Sequence, residues 1–134
     1  RALHDDQDPI EALKALGPAL LRFTTDEHAI IVNRAAVIDA AETGVLAQAI
    51  DEVARDVLYP LIRALMQRLV AAGVFEPDTG ADEAAQSYLS LLLGEVQLRQ
   101  ALGNLPPFDE QEIARRAQRA FNLLCRLYQP RGTP

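Results

Sequence analysis

The chain has 134 residues and a formal net charge of −6, from 13 Lys and Arg against 19 Asp and Glu. That length suits one domain with a continuous apolar core, and the acidic balance excludes long-range attraction of this stretch to nucleic-acid phosphates or anionic membranes. Residues are 49% hydrophobic but only 5% aromatic, and the Ala- and Leu-rich remainder favours helix over strand, so the expected class is all-α.

No apolar run of about eighteen residues is free of charge, so no transmembrane helix is expected. Cys125 is the single cysteine, which precludes an internal disulfide and points to a reducing, cytoplasmic setting. The single methionine is Met66, so Arg1 is not read as a translation start and a segment is expected ahead of it. Arg1–Leu3 reads as the stub of an earlier helix.

In chain order, Asp8-Pro9-Ile10-Glu11 gives a cap, a proline at the first helical position and a capping-box acid. A helix is predicted from Pro9 to about Phe23, kinked at Pro18, which cannot donate to the carbonyl of Lys14. Thr24 with Glu27 reads as a second capping box. It opens a helix to about Ala41 whose circumference is mostly apolar, which places it in the middle of the domain. Thr43 and Gly44 punctuate, and Val45 to Ala72 reads as the longest rod, about 42 Å if wholly helical, with a kink at Pro60.

Gly73 suits a left-handed helix end and Pro77 to Gly80 a turn. Thr79 and Asp82 are the expected caps of a fourth helix reaching Leu102, where Gly103 and Pro106-Pro107 stop it. Asp109 with Glu112 forms a further capping box, with Phe108 and Ile113 as a hydrophobic staple. The last helix carries Ile113, Ala117, Ala120, Phe121, Leu124 and Tyr128 on one side, and Gln129 to Pro134 read as a frayed tail. About five helices with short connections predict a compact antiparallel bundle.

Catalytic patterns are missing. His4 and His28 do not stand in a Glu-x-x-His spacing, no His lies near Ser87, Ser90 or Cys125, and there is no phosphate-cradling glycine loop, dinucleotide fingerprint or zinc spacing. No cofactor, metal or enzymatic role is expected, and Cys125 reads as a small buried hydrophobe.

Informative instead are polar groups on apolar faces. Arg34 has Ile30, Ile31, Val37 and Ile38 three and four residues to either side, so a guanidinium stands on an apolar stripe. It serves either as a structural partner for the chain or as a ligand contact. Asn33, His28, Tyr59 and Gln97 are further candidates for orienting a ligand, each with a packing or solvent-exposed alternative. The last two helices carry surplus apolar surface, and Leu91, Glu95, Leu98 and Leu102 with Ala117, Phe121, Leu124 and Tyr128 can pair with a second copy as a four-helix bundle.

Asp8-Pro9-Ile10-Glu11-Ala12-Leu13, then Asn33 to Ala41 (NRAAVIDAA), then the kinked long helix, then Ala84 to Glu95 (AAQSYLSLLLGE) together resemble the C-terminal domain of tetracycline-repressor (TetR) family transcriptional regulators. The resemblance spans nearly the whole chain but not the family's diagnostic helix-turn-helix. It implies a single effector-binding and dimerisation domain over residues 1–134. The final two helices would form a homodimer bundle, and a separate N-terminal head would contact DNA. It further implies an effector pocket within residues 9–103, for which His28, Ile31, Arg34, Ile38, Tyr59, Ile62, Met66, Leu89 and Gln97 are the candidate lining. The ligand would be a small hydrophobic or amphipathic molecule, with an anionic group opposite Arg34. The competing readings are a structural or adaptor homodimer without a ligand, and a helical-bundle enzyme or cofactor carrier.

Overall fold

The computed structural model describes residues 7–131. The Arg1–Leu3 stub, His4 and the last three residues of the expected tail lie outside the described residues. The architecture is all-helical: α1 (Pro9–Thr25), α2 (Glu27–Asp39), α3 (Val45–Val53), a π-helical turn (Ala54–Leu58), α4 (Tyr59–Ala71), α5 (Ala81–Leu93), α6 (Val96–Ala101) and α7 (Glu110–Tyr128). These make up the five expected rods, because α3, the π turn and α4 run on as one and α5 and α6 divide another.

Local chemistry explains the ends. The Asp8 carboxylate accepts from the Ile10 amide at 2.9 Å with Pro9 following it, and Asp109 accepts from Glu112 N at 2.8 Å. Each satisfies one of the amides that a helix start leaves without an intrahelical partner. The expected return bond of Glu112 to its cap is replaced by ion pairs with Arg115 and Arg116. The Thr24–Glu27 box is corrected: α1 runs to Thr25, the Thr24 hydroxyl donates back to Leu20 O at 2.6 Å, and Asp26 caps α2 by accepting from Ala29 N at 2.7 Å. A helix-interior threonine has a carbonyl four residues back within reach, and that bond removes it as a cap.

The long rod is helical over its expected span and changes its pitch before Pro60. There Tyr59 N donates to Ala54 O, five residues back. A proline ring crowds the preceding turn, and a widened turn relieves the crowding. Thr79 does not cap α5, which begins after Gly80 without a side-chain cap.

The expected single fourth helix breaks at Gly94, with φ 49° and ψ −126°, a conformation essentially reserved for glycine. The break changes the helical phase, so Val96 and Gln100 of α6 turn inward while Leu98 and Leu102 turn outward.

The core lies between α1, α4, α5 and α7 and includes Leu13, Leu21, Ile62, Met66, Leu69, Phe75, Tyr88, Leu92 and Leu124. At Gly17 α1 approaches so closely that an added Cβ would stand 2.8 Å from the Tyr88 hydroxyl and 3.1 Å from Ala117 Cβ. The central position expected for α2 is corrected: only its Ile30 and Ala36 are buried, while Val37 and Ile38 are 71% and 77% exposed. It packs against α1, α3 and α6, and among the described residues its outer side stays exposed at Val37 and Ile38.

Candidate functional site

A helix end leaves its last carbonyls without intrahelical donors, and two such ends meet beside α2. At the end of α1, Gln97 Nε2 donates to Thr24 O at 3.3 Å and Gln100 Nε2 donates to Thr25 O at 3.2 Å. Gln100 Nε2 also reaches Pro106 O at 3.2 Å, tying down the linker before α7. At the end of α6, Arg34 of α2 donates from Nε to Ala101 O at 2.9 Å and from Nη2 to Gln100 O at 3.2 Å. A cation at a helix C-terminus also meets the negative end of its dipole. Arg34 is held by carbonyls, and both it and most of its apolar stripe are exposed, so its charge stays in contact with water.

These ties frame a groove of ≈ 660 Å³ lined by Glu27, Ile30, Ile31 and Arg34 of α2, Gln100 of α6, and Gly103 to Pro107. Its size falls within the range of small-molecule sites. Ile30 is buried beneath it, and Arg34 has donors beyond the two it spends on α6. One cation and one carboxylate, Glu27, border an otherwise largely apolar surface. A smaller depression of ≈ 470 Å³, lined by Arg115, Gln118, Arg119, Asn122, Leu123 and Arg126, lies along α7 alone.

Of the candidate ligand contacts, the groove gathers Ile31 and Arg34. Gln97 stands one turn away, engaged with α1. His28 is exposed on α2 and is not among the lining residues, and Ile38 and Tyr59 are exposed outside the groove. Ile62 and Met66 belong to the close-packed core and Leu89 packs against it, so these three do not open onto the groove.

Of the candidate pairing residues, Leu98 and Leu102 are 63% and 65% exposed and Glu95 is exposed on the same side. Ala117 and Leu124 turn into the chain's own core, with Leu91, Phe121 and Tyr128 packed against it. Tyr128 also stacks at a tilt on Phe75 and shares a 2.8 Å hydrogen bond with Ser87. The face of α7 offered for pairing is thus occupied from within. Cys125 is half-buried, and burial pushes its thiol pKa up, against a smaller opposing effect of Lys14.

Sequence reasoning missed Gln100, which is 1% exposed, and the Gly103–Pro107 wall. Gln100 acquires its inward direction only through the break at Gly94, and the wall looked like a connection because Gly and Pro mark turns wherever they stand.

Among the described residues no helix is long and apolar enough to cross a membrane. A family model described as AefR-like transcriptional repressor, C-terminal domain, matches residues 11–130. No curated protein and no solved structure matches the chain.

Proposed function

The chain belongs to the TetR family of transcriptional regulators, matching the C-terminal domain of its AefR-like repressors, and from that premise we propose that it is the effector-sensing and dimerisation module of such a regulator, acting by binding rather than by catalysis. The observation that carries the sensing half is the groove between α2, α6 and the Gly103–Pro107 linker. It joins an apolar surface of Ile30, Ile31, Leu105, Pro106 and Pro107 to a guanidinium with spare donors, which suits a small amphipathic molecule whose polar end accepts from Arg34. Ligand seated there touches α2 and α6 together. It would change the balance between arrangements of these helices only by binding one arrangement more tightly than another. Contact with DNA falls to a separate N-terminal head, and the setting is cytoplasmic.

Thermal melting and calorimetry with amphiphiles sharing an eight-carbon acyl chain, namely octanoate, N-methyloctanamide and methyl octanoate, test this reading. At least one is expected to raise the melting temperature, and Arg34→Ala is expected to weaken octanoate about tenfold through loss of a charge-assisted hydrogen bond. If none of the three binds at millimolar concentration, the sensing role is wrong and an adaptor role without a ligand takes its place.

We also propose a homodimer formed through the outward side of α6, where Leu98 and Leu102 stand one turn apart and exposed. Apolar side chains in such a row favour a self-complementary twofold contact.

A further inference from the structure

Buried polar atoms are almost always hydrogen-bonded, and one left without a partner marks either a cost to the fold or a missing partner. Among the buried side-chain atoms of the described residues, the one without a partner is Gln100 Oε1, on a residue 1% exposed. The amide orientation is fixed by its surroundings. The other terminal atom of the side chain lies 3.2 Å from both Thr25 O and Pro106 O, and two carbonyls can be satisfied only by the NH₂ end. Turning the amide over would set oxygen against two oxygens. Gln100 Oε1 is therefore an acceptor that the chain itself does not use, on a residue lining the groove.

Resting on the sensing role proposed above, we infer that the groove selects amphipathic molecules whose polar end carries a neutral N–H or O–H donor, an amide or an alcohol, and that Gln100 Oε1 accepts that hydrogen. Arg34 supplies donors and Gln100 the complementary acceptor, so a head group with one acceptor and one donor meets both. An aliphatic chain then follows Ile30, Ile31 and Leu105. The acceptor is already withdrawn from water and unpaired in the free chain, so a molecule with the donor gains a hydrogen bond there that one without it cannot make. Glu27 at the groove adds no competing donor.

The test uses two isosteres, N-methyloctanamide and methyl octanoate, which differ at the polar end by N–H against O. The ester is the more hydrophobic of the two, so an apolar groove without an acceptor favours it. The wild-type chain is expected to bind the amide about tenfold more tightly by calorimetry, and Gln100→Met to lose that preference. Arg34→Ala weakens both ligands while keeping their ratio, because the ratio belongs to Gln100. Equal affinities in the wild-type chain, or an ester preference, overturn the inference while leaving the sensing role standing. Binding of none of the amphiphiles overturns both. If Gln100→Met fails to fold for want of its bonds to Thr25 and Pro106, the wild-type ratio alone decides.

Discussion

At the start of α7 the Glu112 carboxylate accepts hydrogen bonds from Arg115 at 2.6 and 3.0 Å and from Arg116 at 2.7 Å. The Arg115 bond, followed by that of Arg116, holds the Glu112 pKa down to about 2 from an ordinary 4.5, with partial burial opposing. A group whose pKa falls on folding stabilises the folded state above its unfolded pKa and loses that contribution as pH drops through the folded value. The ion-paired glutamate should therefore make melting acid-sensitive between about pH 4.5 and pH 2, and Glu112→Gln should flatten the curve there. Circular-dichroism melts at pH 7, 4 and 3 check this, and equal losses in both proteins would refute it. Residues differed in how far the sequence disclosed them. Arg34 stood out because its apolar neighbours lie on its own helix. Gln100 did not, since its burial depends on a helix break and on carbonyls from α1 and the linker, none of them adjacent in sequence.

Among the elements, the sequence announced both ends of α1 and α7 to within a few residues, because caps and prolines act locally. It also marked the long rod, though a proline kink and a π turn leave the same trace in a sequence. The division of α5 from α6 was hidden, because Gly94 within an apolar helical pattern can be an ordinary helix residue as readily as a left-handed joint. That joint decides which side of α6 faces the groove. Gly94→Ala forces a side chain into a φ of 49° and should cost roughly 1–3 kcal/mol, read as a lower melting temperature. The same change should weaken amphiphile binding by turning Gln100 out of register. A variant as stable as the parent, binding with unchanged affinity, would show that α6 does not depend on the joint.

Over the whole molecule, the all-α class and the order of the rods followed from composition and periodicity, but their layering did not. A helix whose apolar residues spread round most of its circumference, such as α2, carries no preferred face to orient it, so its peripheral position was set by what else could fill the core. Part of the expected pairing surface is taken up inside the chain for a related reason. Ala117 and Leu124 satisfy α7 within the chain, whereas Leu98 and Leu102 of the expected set stay outward. Replacing both leucines by glutamate should convert a dimer into a monomer in light scattering while leaving the helical spectrum intact. A dimer that survives both changes must use another face, and a monomeric parent would remove the pairing proposal.

The rod from Val45 to Ala71 has its own asymmetry. Four side chains of its second half, Ile62, Leu65, Met66 and Leu69, are buried, whereas none of α3 is. The two halves share a backbone but not a fate. The amides of α3 should exchange with deuterium through a local opening that the core never feels, while those of α4 wait for the entire domain to unfold. The π turn lies on the seam between the half expected to open locally and the half expected to hold.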